Sequence, residues 1–532
     1  MIRSLEVADW VLLIVYLGGL AVYGWFFRKF VKTQEDYFIA GRAMPFWMVG
    51  LTLAAIALDA SDLMAPHSVS YGAGLWGLWW FMGCVLGSFL LAGYIIPAYF
   101  RKKIITNTTY LEYRFDPTMR LYAALAQVIQ RSVVMAAAIT GIAFMLEIVL
   151  GYAFWDAVII AVIISVFMTI VGGRFAVMAS EIFAIIFGVI MGWYLLNIGI
   201  NAIGWERFTN EITPWLRWTT FPKNYNPEYP NWVWFIGITI LTFPYSIINQ
   251  EYLAKVMSAA SEYDARRGLI FPNILTWILW CLPLSILGNI TYVLYPPGSF
   301  TGPADRALFF LIRDFAPVGL VGLLVATFFA ASQDIGGTAN SVASLITIDM
   351  YQRFIKKDAS EKHLLMVARI VTGAIMIVPI IWIPLQLSMP IVATVYGMVT
   401  GMVVVPTVIP YIVGPLTKFF TRRSAIVGCL FGAGFGLIFR LYGQSLGLPL
   451  IFYHAWTCGI PTLLITLLVM IVWSFVENLT KGPIPESEFE GLIIKGYKTR
   501  AMQQKLSSRI ELLKTNFINC SNVGGIMICG SG

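Results

Sequence analysis

Apolar runs of about 18 to 25 residues, each long enough to cross a hydrocarbon core roughly 30 Å thick, recur from one end of the chain to the other. They centre on residues 10–29, 44–71, 74–99, 119–149, 153–172, 180–203, 232–256, 268–292, 316–350, 364–388, 390–414, 424–442 and 452–476. The alternating pattern of a membrane barrel is missing, so these thirteen runs predict spanning helices and an all-α polytopic membrane protein. An odd number of spans puts the termini on opposite sides. The first run has no basic leader and no small-residue cleavage site, and is expected to be retained as a helix.

Composition agrees: 58% of residues are hydrophobic and 12% charged, which excludes a water-soluble fold. The formal charge of +8 does not predict a nucleic-acid partner, because the basic residues sit in short loops between spans. Arg28, Lys29, Lys32 and Arg42 fill one loop; Arg101, Lys102, Lys103 and Arg114 fill another. Lys255, Arg266 and Arg267 share a third, followed by Arg353, Lys356, Lys357 and Lys362, then Lys418, Arg422 and Arg423. The alternate loops are poor in Lys and Arg, so the N-terminus is predicted outside and the tail cytoplasmic. Within that tail, "AMQQKLSSRIELLKTNF" reads either as an amphipathic helix or as a solvated stretch. Cys84, Cys281, Cys429 and Cys458 fall in or beside apolar segments and read as packing; with Cys520 and Cys529 they make no zinc or disulfide spacing.

A charge in the hydrocarbon layer is costly, so each ionisable residue there is a candidate for function. They are Asp59, Asp62 and His67 in the second span, Arg131 in the fourth, Glu251 near the inner end of the seventh and Asp334 in the ninth. Asp59 and Asp62 are three apart and share a helix face. Pro66 frees a carbonyl one turn earlier, at Asp62, and such an interruption is tolerated only where it is buried in protein or lines a cavity. Carboxylates and free carbonyls facing a cavity suit a cation or an amine; an internal pair, for example with Arg131, is the structural alternative. The seventh span, "GITILTFPYSIINQEYLAKVM", offers a counterpart with Pro244, Tyr245, Asn249 and Gln250. Two interrupted spans five apart predict inverted five-helix repeats with a midplane site, the pattern of secondary transporters. The ninth span, with Ser332, Gln333 and Asp334, carries the oxygens a hard monovalent cation needs, although Asp334 also suits a proton carrier. With three histidines and no phosphate-cradling glycine motif, no enzyme site is predicted, and neither filter loops nor pore rings suggest a channel.

Three stretches, in order, resemble the sodium:solute symporters, which include sodium–glucose, sodium–proline and sodium–sialic acid transporters: "DYFIAGRAMPFWMVGLTL", "NQEYLAKVMSAASEYDARRG" and "ANSVASLITIDMYQRF". The resemblance covers roughly residues 36–475 and implies a leucine-transporter-type five-plus-five inverted repeat with peripheral helices. It implies a transport core at 36–414 (repeats 44–203 and 232–414), an N-terminal helix at 1–35, two peripheral helices at 415–477 and a tail at 478–532. It also implies no cofactor beyond a co-transported sodium ion, held by Ala55 and Leu58 on the first core helix and Ala330, Gln333 and Asp334 on the eighth. Gln333 and Asp334 replace the family's adjacent hydroxyls, which leaves proton coupling or lost coupling open. Asp59, Asp62, Phe81, Cys84, Tyr245 and Asn249 fall at or near the implied solute site, with Tyr245 matching the inner-gate tyrosine. Carboxylates among aromatics favour an amine over a sugar or an acid. The expectation is a cation-coupled solute symporter in the plasma membrane; an uncoupled carrier and a transporter-like sensor are the alternatives.

Overall fold

The computed structural model describes residues 6–27, 38–56, 60–80, 82–170, 173–215 and 231–485, with 489, 492 and 493. Apart from an isolated bridge between Met44 and Ala259, the described elements are helices. In chain order the principal ones are α1 (Val7–Phe27), α2 (Phe46–Ile56), α3 (Ala60–Ser70), α4 (Gly74–Phe100), α5 (Asn107–Arg114), α6 (Pro117–Val149), α7 (Phe154–Ile170), α8 (Gly173–Ile203) and α9 (Asn231–Ile248). There follow α10 (Gln250–Met257), α11 (Glu262–Thr276), α12 (Leu282–Leu294), α13 (Arg306–Phe315), α14 (Leu320–Ser344), α15 (Glu361–Leu387), α16 (Ala393–Leu416), α17 (Arg422–Tyr442) and α18 (Gly459–Lys481). Helix lies over all thirteen predicted spans. By length and apolarity alone, seven described helices pass as spans, or nine when each bent pair counts once.

Burial sorts the centre from the rim. The apolar window of α6 is 94% buried, whereas those of α15, α17 and α18 are only 33% buried and lie at the rim of the bundle. The start of α6 is set locally: Pro117 occupies the first turn and the Asp116 carboxylate accepts the Met119 N–H at 2.8 Å.

The two broken spans are α2–α3, bent by 56°, and α9–α10, bent by 41°. Neither breaks at its proline. Pro66 lies inside α3 and Pro244 inside α9, whereas the changes of direction fall between the end of α2 and the start of α3, and at Asn249. A proline removes one backbone hydrogen bond, which a buried helix can absorb; a break exposes several groups and needs partners. At the second break those partners are side chains. Asn249 Oδ1 accepts the Glu251 N–H at 2.9 Å, Gln127 Oε1 accepts the Gln250 N–H at 2.9 Å, and the Asn107 amide donates to the Ile248 carbonyl.

Packing follows an inverted repeat. The second span packs on the eighth (α2 on α11, α3 on α12), and the seventh packs on the third (α9 on α4). Shifting every span by five exchanges these two pairs. The sixth–ninth contact (α8 on α14) and the eleventh–fourth contact (α16 on α6) exchange in the same way. The α3–α12 contact is close because Gly288 has no side chain: a Cβ there would lie 2.2 Å from the His67 carbonyl oxygen. Gly288→Ala is expected to force the helices apart at a cost of about 1–3 kcal/mol. The check is thermal unfolding of the detergent-purified protein, where an unchanged midpoint would mean that the contact yields.

Candidate functional site

A small cavity lies between the two broken spans. Asp62, Trp80, Cys84, Tyr245, Asp305 and Tyr396 line it, on apolar walls from α6 and α16. Its volume is about 30 Å³, room for one or two waters, so a solute enters only when side chains or helices move. Asp62 is buried and accepts the Trp80 indole N–H at 3.1 Å. The Cys84 thiol donates to the Thr242 carbonyl at 3.4 Å, and Ser246 donates to the Cys84 carbonyl at 2.6 Å, which seams α4 to α9.

At the end carrying α13, Trp80 meets Trp456 edge to face at 5.8 Å and Tyr396 at 5.6 Å. Beyond this aromatic cluster is a vestibule of about 720 Å³ with Tyr71, Phe300 and His454 on its wall. Asp305, just before α13, accepts from Ser68 Oγ of α3 at 2.8 Å and from the Val392 N–H at 2.9 Å.

The opposite floor is Tyr245. The Arg131 guanidinium lies 4.7 Å from its ring centroid and donates to Gln130 Oε1 at 3.1 Å. Arg131 is therefore directed at Tyr245 and Gln130. Farther towards α5, Asp349 accepts from Thr106 at 2.7 Å, Thr108 at 2.6 Å and Arg120 Nε at 2.6 Å; Glu112 binds Arg120 at 2.6 Å and Arg353 at 2.7 Å. This network ties α5, α6 and the continuation of α14 (Leu345–Ile355) at that end.

Beside the α2–α3 break sits a buried charge cluster. Lys255 Nζ donates to Glu181 Oε1 at 2.7 Å and to the Thr52 carbonyl at 3.3 Å, and lies 3.5 Å from Glu251 Oε1. Thr338 of α14 donates to Glu251 at 2.5 Å. The basic-loop reading put Lys255 and Arg114 in water. The structure corrects both: Lys255 is enclosed by the two acids, and Arg114 is buried against the carbonyls of Gly414, Thr417 and Phe420.

Of the sequence-derived solute residues, Asp62, Cys84 and Tyr245 meet in the cavity. Asn249 is absent from its lining, and its side chain caps α10 instead. Asp59, Phe81 and Leu58 lie outside the described residues. Ala55 is buried near the end of α2; Ala330, Gln333 and Asp334 belong to α14, with side chains outside the described set. Sequence reasoning missed Asp305, which reads as a loop acid, and Glu181, one acid in an apolar run. The i,i+4 spacing of Glu251 and Lys255 was the available signal for that cluster.

The arrangement suits a carrier: a small cavity lies between two discontinuous helices, with an aromatic cluster at one end and a polar network at the other. Comparison with known proteins agrees. The model of the sodium:solute symporter family matches residues 37–432. The "Sodium/glucose cotransporter" of Vibrio parahaemolyticus is 23% identical over 78% of this chain and 81% of its own length. The human "Sodium/iodide cotransporter" is 23% identical over 64% of this chain and 54% of its own, so the match spans little more than half of that relative. The solved structure of a Na+-coupled sialic acid symporter, substrate-bound and outward-open, superimposes with a TM-score of 0.73 at 20% identity, over 89% of this chain and 98% of that one. A nucleobase-cation-symport-1 family transporter in a closed conformation gives 0.50 at 13% identity, over 86% and 97%, which concerns the fold alone. By its fold and by a family match that runs through both broken spans, the chain belongs to the sodium:solute symporter family.

Proposed function

We propose that this protein is a sodium-coupled symporter that carries a small organic amine by alternating access. The observation that carries the reading is the cavity itself: two carboxylates, Asp62 and Asp305, and the rings of Trp80, Tyr245 and Tyr396 line it, with no basic side chain among the described lining residues. A cation there is held by charge pairing and by ring faces. The sodium ion sits at the α2–α3 break, on Ala55 and Leu58, with Ala330, Gln333 and Asp334 of α14. The transport core is 36–414, flanked by the helix of 1–35, the peripheral helices of 415–477 and a cytoplasmic tail. The N-terminus and the α13 end then face outward, in line with the basic loops at the α5 end.

Proteoliposomes offered a primary amine, a quaternary ammonium, a monocarboxylate and a hexose test this. Amine is expected to concentrate under an inward sodium gradient and not under a potassium gradient. Sodium at a hundred times its dissociation constant should also stabilise the protein by about 2.7 kcal/mol. A proton-coupled reading is favoured by the Glu181–Lys255–Glu251 cluster beside the break; accumulation driven by a proton gradient without sodium would select it. Binding without flux would select a sensor.

A further inference from the structure

We propose that Asp305 is the latch of the outer gate: its carboxylate, clamped between Ser68 of α3 and Val392 before α16, holds the α13 loop over the solute cavity. The proposal rests on the alternating-access reading but on neither the solute nor the ion.

Three parts of the molecule converge on this one side chain. Ser68 belongs to the outer half of the first broken span, in repeat one, and donates at 2.8 Å. Val392 opens the approach to α16, in repeat two, and its N–H donates at 2.9 Å. Asp305 itself belongs to the loop between α12 and α14, whose neighbour Ala304 donates its N–H to the Pro390 carbonyl at 2.9 Å. Asp305 is 1% exposed and lines the cavity from above. Opening the gate must part repeat one from repeat two here, which breaks the clamp and delivers the carboxylate to the water of the vestibule.

Among the described residues, the groups around it leave that carboxylate without an ionic counterpart. Arg306, the next residue, is held by Glu147 through two hydrogen bonds of 3.0 and 3.1 Å, with its guanidinium over Phe144. His67 on α3 shares a hydrogen bond with Thr291 at 2.7 Å. Asp62, across the cavity, takes the Trp80 N–H, and the Tyr71 hydroxyl is bound to the Tyr295 carbonyl. Tyr396 lines the same cavity, and His454 stands across the vestibule.

Neutral donors, the Val392 N–H, the Ser68 hydroxyl and its own backbone N–H, do not offset desolvation, so burial pushes the Asp305 carboxyl up from 3.8 to about 6 in the closed state. In the open state, in water, it returns towards its ordinary value. A proton therefore favours closure: the closed-to-open ratio rises as pH falls through 6, by about fourfold between pH 7.5 and pH 5.5. Acid outside the membrane holds the gate shut, and neutral pH releases it.

Cys84 supplies a native reporter, because its thiol lines the cavity and is buried while the gate is shut. A membrane-impermeant thiosulfonate is applied to intact cells carrying the full chain with Cys520→Ser and Cys529→Ser, with Cys84→Ser as the blank. Labelling rates are read as the ratio of the parent protein to Asp305→Asn at each pH, which cancels the thiol's own titration. That ratio is expected to fall about fourfold from pH 7.5 to pH 5.5. Ser68→Ala, which keeps the acid and removes one donor, is expected to move the midpoint to higher pH, a change that a purely structural role would not produce. A ratio flat with pH overturns the latch and leaves alternating access standing. Absence of Cys84 labelling at every pH in both proteins overturns alternating access, and the latch with it.

Discussion

Lys255→Met is expected to cost about 3–5 kcal/mol and to lower the melting midpoint by several degrees, with a loss of monodisperse protein. Lys255 is the ammonium between Glu181 and Glu251, and all three side chains are buried. Methionine fills most of the same volume, so the cost is not one of packing. What remains is two carboxylates in a low-dielectric interior, which must either pay for desolvation or take up protons. The control is the double variant with Glu181→Gln. It removes one of the two acids and leaves Glu251 with the Thr338 hydroxyl and the field of Arg131, so most of the lost stability should return. The measurement is the thermal unfolding of both variants in one detergent at pH 7.5. A single variant that melts with the parent protein would mean that the cluster does not carry the charges drawn for it.

That cluster also marks where the sequence stops being legible. Helices over the apolar runs could be read because such a run is a local property, and so could the presence of two interrupted spans. Their break points could not. Pro66 and Pro244 advertise breaks that lie elsewhere, because what fixes a break is the supply of partners for the opened backbone. At Asn249 two of those partners, Asn107 and Gln127, come from α5 and α6, more than a hundred residues away. Lys255 and Arg114 were misread for a related reason. A charge count by loop treats every lysine and arginine near a span end as solvated, and nothing local announces that Glu181 or the Gly414 carbonyl waits opposite. Asp305 was missed because loop acids are ordinary. Only the return of its loop over the cavity sets it against Ser68 and Val392.

For the solute, the decisive result is expected from Asp62→Asn, which should weaken binding of a small ammonium probe such as tetramethylammonium by roughly 30-fold to several-thousand-fold. Removing one partner of a desolvated charge pair costs about 2–5 kcal/mol, and that range converts to those factors. The substitution is mild for the fold. An asparagine oxygen still accepts the Trp80 indole N–H, so the aromatic lid of Trp80, Trp456 and Tyr396 stays in register and the melting midpoint should hold. A neutral isostere of the probe should lose little, because its contacts are with ring faces and not with charge. The comparison thus separates the two roles open to Asp62, acceptor for Trp80 and counter-ion for the solute. If the ammonium probe binds Asp62→Asn as tightly as the parent, Asp62 only orients the tryptophan, and Asp305 is the other carboxylate lining the cavity that can meet the cation. Asp305→Asn should then abolish binding at neutral pH, and the preference for amines would belong to the gate and not to Asp62.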